Sequence, residues 1–145
     1  MNVITSLGEK RRKKQWKFER SILRSLSIQT MKTDVFETFF SHQFGESVGK
    51  MYLTDFCLDI GIDAYLLGSE FSRFGYYGDP PEKVKLRCQD ELRAYSEQCA
   101  SQFMAWFTLD DKETAIIREK STAFLDRWWI QGFKEGEKRH RLRLH

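Results

Sequence analysis

The chain has 145 residues, of which 41% are hydrophobic and 31% charged, and its formal net charge is +3. This is the length of one domain, which buries about two-thirds of its unfolded surface. No run of about 18 uncharged apolar residues occurs and no apolar stretch follows the basic N-terminus, which excludes a spanning helix and a secretory signal and predicts a cytoplasmic protein.

Three Asp-x-x-Glu pairs predict where helices begin: Asp34/Glu37, Asp79/Glu82 and Asp110/Glu113. In each pair the Asp accepts a backbone N–H of the first turn and the Glu reaches back to the cap. Together with the apolar periodicity they predict helices over about residues 7–31, 34–44, 47–74, 80–107 and 111–140. In the second pair, Asp79 is expected at the N-cap and Pro80 in the first turn.

We therefore expect an all-α fold, because nothing in the chain alternates with a strand period. The expected architecture is a single helical domain over residues 1–145, a bundle of four long helices and one short helix. The ends at residues 1–6 and 141–145 are expected to be frayed.

Charge is segregated along the chain. Residues 1–32 carry nine Lys/Arg against two Glu, and residues 33–79 carry two against eight Asp/Glu. In the first helix the cations step by three or four residues along one face: Lys10, Lys13, Lys14, Lys17, Arg20 and Arg24. Such a face is either solvated or salt-bridged, or it contacts phosphate backbones or anionic lipids.

The third helix carries an acidic column: Asp55, Asp59, Asp63 and Glu70. Its remaining positions are apolar nearly all round, which is typical of a central helix. Like charges at this spacing repel each other, so we expect a cationic partner or water beside them. Three partners would balance the charge of these carboxylates: cations of the first or last helix, solvent along an exposed stripe, or a metal ion. The Glu-x-x-His pairs that hold metal ions in carboxylate-bridged bundles are absent.

The last helix ends in a predicted packing seam followed by a basic tail. The seam comprises Phe124, Trp128, Trp129, Gly132, Phe133 and Gly136. Each interior Gly costs about 1 kcal/mol relative to Ala, which suggests close approach by another helix, within the protein or across a dimer. The tail comprises Lys138, Arg139, Arg141 and Arg143, at the negative end of the helix dipole. These four cations are a candidate binding site for a polyanion.

No catalytic or cofactor motif is present. The histidines are His42, His140 and His145, and the three cysteines fall in no metal-binding spacing, so buried reduced thiols are expected. Cys88 and Cys99 stand three turns apart on one helix, which excludes a disulfide between them. We predict no catalytic residues, no cofactor, no bound metal and no small-molecule ligand.

The beginning "GEKRRKKQWKFER" and the ending "WWIQGFKEGEKRHRLRLH" resemble a family of short uncharacterised proteins from Bacillus and its relatives. The resemblance covers most of the chain. It implies a small cytosolic bacterial protein with no assigned activity, and it carries over no site residue.

The leading hypothesis is a non-enzymatic protein that acts through protein contacts in a regulatory or accessory role, with self-association as one form of contact. The alternative is binding of nucleic acid or an anionic membrane by the basic first helix and the tail. A second alternative is a cation site on the acidic column.

Overall fold

The computed structural model describes residues 3–41 and 48–142. Its elements are the helices α1 (Val3–Arg24), α2 (Ile28–Val35), a π-helical turn (Phe36–Phe40), α3 (Val48–Glu70), α4 (Ser72–Tyr76), α5 (Pro81–Arg87), α6 (Gln89–Trp106) and α7 (Asp111–Leu142). Within the described ranges there is no strand, and the predicted all-α class is confirmed. None of these helices combines the length and the apolar composition that crossing a membrane requires.

Helices α3 and α7 pack against each other along their length and form the centre of the molecule. Helix α6 covers both, and α1, α2 and α4 pack around the same pair. The core is rich in aromatic rings, and its largest fully buried side chains include Trp129, Phe39, Phe103, Phe124 and Phe133. Rings of this size provide most of the apolar area that holds the helices together.

The first two predicted helix boundaries are wrong. Helix α1 ends at Arg24, not near residue 31, and α2 begins after Ser27, whose hydroxyl accepts a hydrogen bond from Thr30 N at 3.1 Å. Asp34, the predicted N-cap, lies inside α2. The predicted residues 42–44 lie outside the described ranges, and α1 begins at Val3, before the predicted start near residue 7.

Two predicted long helices are interrupted. The predicted helix 47–74 ends at Glu70, and the short α4 follows. The predicted helix 80–107 breaks at Cys88, where the backbone has φ −118° and ψ 24°. Its N-cap is Pro80 and not Asp79. The Asp79 carboxylate instead forms ion pairs with Lys83 and Arg87.

The third cap is as predicted. Glu113 N donates to Asp110 Oδ1 at 2.7 Å, and Asp110 N donates to Glu113 Oε1 at 3.2 Å. This reciprocal capping box starts α7, the longest helix of the chain. The Asp-x-x-Glu spacing predicts this cap correctly because Asp110 and Glu113 lie within one helical turn of each other.

Candidate functional site

The glycines of the predicted seam lie against α3 of the same chain. A Cβ on Gly132 would come within 2.9 Å of Tyr65 Cα and even closer to its carbonyl, and one on Gly136 would lie 2.9 Å from Ser69 O. Gly68 on α3 meets α7 in the same way, 2.8 Å from Phe133 N. The close approach is therefore an intramolecular contact between α3 and α7, built by glycines on both helices.

The large residues of the seam are also internal. Phe124, Trp128, Trp129 and Phe133 are all buried. The Trp129 ring stacks on Phe133 with centroids 5.2 Å apart, and its Nε1 donates to Cys88 Sγ at 3.1 Å. The two adjacent tryptophans thus anchor the core, and neither is presented for stacking with a base.

Asp34 joins α2 to α7 through a polar network. Its carboxylate accepts hydrogen bonds from Trp128 Nε1 at 2.8 Å and from Arg127 Nη2 at 3.1 Å and Nε at 3.3 Å. Arg127 Nη2 also donates to Thr38 Oγ1 at 2.8 Å. The residue predicted as a local cap thus acts as a long-range acceptor, which the spacing within its own helix could not reveal.

The acidic column faces solvent. Asp55, Asp59, Asp63 and Glu70 are all exposed, and none of them forms an ion pair with another described residue. Partial burial, and then the neighbouring Asp59, raise the pKa of Asp63. No group of three metal-ligating side chains occurs in the described part of the chain. The four carboxylates thus form an exposed acidic stripe on α3.

The basic face of α1 also points away from the core. All six cations, Lys10, Lys13, Lys14, Lys17, Arg20 and Arg24, are exposed. Within residues 3–41 and 48–142 none of them is joined to a carboxylate. Arg20 lies over the Trp16 ring, 4.5 Å from its centroid. The Trp16 side chain itself is 57% exposed.

Contacts with α7 hold the C-terminal half of α1 against the bundle. Arg139 donates to the hydroxyls of Ser21 and Ser25, and the His140 ring stacks on Phe18 with centroids 5.3 Å apart. The residues of α1 that precede Phe18, from Glu9 to Lys17, are all exposed. This half of α1 is therefore not packed against the rest of the described structure.

The two basic ends of the chain therefore meet at one end of the bundle. Lys138 and Arg141 are exposed there. Arg139 is not free for a ligand, because it pairs with Glu135 at 3.3 Å and holds the two serines of α1. Arg143 lies outside the described residues. Within the predicted tail, Arg139 thus holds α1, whereas Lys138 and Arg141 are exposed to solvent.

Lys and Arg side chains lie on all sides of α1 between Glu9 and Lys17. This segment is here named the basic arm. All of its side chains are exposed, and six of its nine residues are Lys or Arg against one Glu. At 100° per residue, the side opposite Lys10–Lys17 carries Arg11, Arg12 and Gln15, with Trp16 at its edge. The arm has no apolar face.

Comparison with known proteins agrees with the predicted resemblance. A family model described as "Protein of unknown function (DUF2521)" matches residues 1–145. The chain is also similar to the uncharacterized protein YbaK of Bacillus subtilis (strain 168), with 30% identity over 152 residues that cover 99% of each chain. No solved structure matches. The predicted likeness to a family of uncharacterised proteins from Bacillus and its relatives is confirmed, and the chain belongs to the DUF2521 family.

Proposed function

We propose that this protein is a non-enzymatic, cytoplasmic DNA-binding protein that uses the basic arm of α1 to contact duplex DNA. The observation that carries the proposal is the exposure of the arm, whose cations all face solvent and form no ion pair with another described residue. An unpaired cation releases condensed counterions when it meets a phosphate, which is the main source of affinity for nucleic acids. Lys138 and Arg141 extend the same positive surface.

The distribution of charge around the arm favours a nucleic acid over a membrane surface. A helix that lies on a bilayer buries one apolar face below the headgroups. In the arm, that side carries Arg11 and Arg12, whose burial in lipid is expensive. A helix in the major groove has phosphates on both of its flanks, so cations on both sides are favourable there.

The shape of the arm favours DNA over double-stranded RNA. The major groove of B-form DNA is about 12 Å wide and admits an α-helix, whereas that of A-form RNA is too narrow and deep for side chains to read. The cations of the arm, from Lys10 to Lys17, extend over about 10 Å of helix axis. Because they lie on both sides of the helix, they can face phosphates of both strands.

Neutralising three lysines of the arm is expected to weaken DNA binding at least about tenfold at low salt, because three phosphate contacts are lost. The variant is Lys10→Gln/Lys13→Gln/Lys17→Gln. Its matched control is Lys32→Gln/Lys83→Gln/Lys112→Gln, which removes the same charge from exposed lysines on α2, α5 and α7. The measurement is fluorescence anisotropy with a labelled 20-base-pair DNA, alongside anionic phospholipid vesicles and duplex RNA.

The control variant should bind as tightly as the unmodified protein. Equal losses for both triple variants would show that net charge and not the arm drives binding. Binding to the vesicles with none to DNA would overturn the choice of partner.

A second candidate function is contact with a second copy of the chain. Met51 is 73% exposed, and beside it the exposed rings of Tyr52 and Trp106 lie 5.2 Å apart. Asp55 follows on the next turn of α3, so this surface is complementary to the basic arm of another copy. Light scattering should then show a dimer that Trp106→Ser weakens, and a monomer at every concentration would end this candidate.

A further inference from the structure

Two of the three cysteines lie side by side across a helix interface. Cys57 on α3 and Cys99 on α6 are 42 residues apart in sequence, and their Sγ atoms are 3.8 Å apart. Both side chains have zero exposed fraction. All three cysteines are free thiols, as predicted. Only Cys88 and Cys99 share a predicted helix, so the sequence gives no sign that Cys57 lies beside Cys99.

The two thiols are electronically unequal. A hydrogen bond from Cys57, opposed by burial and aided by Ser121, lowers the pKa of Cys99. The same contact, together with burial, raises the pKa of Cys57 well above its ordinary value. These directions make Cys99 the sulfur that ionises first when local opening of the α3–α6 interface admits solvent and peroxide to the buried pair.

We propose that Cys57 and Cys99 are a modification site, which a hydroperoxide converts to a disulfide that joins α3 to α6. The Cys99 thiolate attacks a peroxide oxygen, so an S–O bond forms, the O–O bond breaks and the departing hydroxide takes up a proton as water. The Cys57 sulfur then attacks the Cys99 sulfenic acid, the S–S bond forms, and the hydroxyl leaves with the Cys57 proton as a second water. Two thiols lose two electrons, and hydrogen peroxide is reduced to two water molecules.

The geometry makes this pair different from the third cysteine. A sulfur separation of 3.8 Å is close enough for a change of side-chain rotamer to reach the bond length of about 2.05 Å. The Cys88 sulfur instead accepts the Trp129 indole N–H at 3.1 Å, and burial raises its pKa to about 11. No second thiol adjoins Cys88 in the described part of the chain. Cys88 is thus a built-in control for non-specific oxidation.

The test treats the folded full-length protein with hydrogen peroxide, follows its intact mass and maps the cysteines by alkylation. The expected product has lost the mass of two hydrogen atoms, resists alkylation at Cys57 and Cys99, and is alkylated at Cys88 after unfolding. Cys88→Ser should form the same product, and Cys57→Ser should not. Closing the loop between the two helices should also raise the melting temperature by several degrees, and a reductant should reverse this shift.

Because mapping is done on the unmodified sequence, the result does not depend on a cysteine variant folding. Three outcomes would overturn the proposal: no loss of mass under conditions that oxidise a model dithiol, a crosslink through Cys88, or only addition of oxygen atoms to single cysteines. Dilution should leave the yield unchanged, because the bond is intramolecular.

Discussion

Replacing Gly132 by alanine is expected to destabilise the protein by at least about 3 kcal/mol. The added methyl group would meet the Tyr65 backbone, with the carbonyl carbon at 2.6 Å and Cα at 2.9 Å. Backbone atoms of a packed helix cannot rotate away, so α3 and α7 must separate and the surrounding core loses contact. Urea unfolding followed by circular dichroism gives the free energy of unfolding directly.

Gly8→Ala is the matched control for this substitution. Gly8 is also helical, but a Cβ added there has no neighbour within 4 Å. Alanine should therefore raise stability by up to about 1 kcal/mol through helix propensity alone. Equal effects of the two substitutions would disprove the close contact between α3 and α7.

Replacing Asp34 by alanine is expected to cost about 2–3 kcal/mol, because its carboxylate accepts from both Arg127 and the buried Trp128 indole. The indole N–H would be left without an acceptor beside the core, whereas the half-exposed Arg127 can return to water. Thermal or urea unfolding at pH 7 measures the loss. Trp128→Phe should cost less in the Asp34→Ala background than in the unmodified protein, because it then removes a donor that has lost its acceptor.

Asp63→Ala is the control for the loss of a carboxylate. Asp63 has a raised pKa in the folded state, so its ionisation weakens the fold as the pH rises from the ordinary pKa of Asp to the raised value, and the effect is complete above it. Its removal should leave stability at pH 7 unchanged or slightly higher. A loss at Asp63 as large as that at Asp34 would mean that the network with α7 is not the cause.

Local signals in the sequence predict some elements well. The capping box of Asp110 and Glu113 needs only one turn of chain, and the start of α7 follows from it. The spacing of Gly132 and Gly136 predicts a close helix contact because no other feature of an exposed helix requires two glycines. These signals say that a neighbour exists but do not identify α3 as that neighbour.

Other features depend on tertiary contacts that no local pattern encodes. Asp34 carries the same Asp-x-x-Glu spacing as Asp110, yet its partners are 93 and 94 residues away on α7. The Ser27 cap is not apparent from the sequence, because the apolar periodicity continues past it. Likewise, the approach of Cys57 to Cys99 requires the packing of α3 on α6, which places residues 42 positions apart in contact.

The candidate site is predicted in part. The basic face of α1 and its residues follow from the 3–4 spacing, but whether that face meets the acidic column or solvent depends on how α1 is oriented. Arg139 decides that orientation by holding Ser21 and Ser25. An arginine that appears in sequence to belong to a polyanion-binding tail thus positions the helix that carries the other cations.

The most direct test of DNA binding by the basic arm is the salt dependence of the affinity for duplex DNA. With four to six phosphates neutralised, the slope of log K against log salt concentration should be about −4 to −5. The slope of the Lys10→Gln/Lys13→Gln/Lys17→Gln variant should be smaller in magnitude by about 3, and that of the Lys32→Gln/Lys83→Gln/Lys112→Gln control should be unchanged. An affinity independent of salt, or equal slopes for the two triple variants, would contradict binding by the arm.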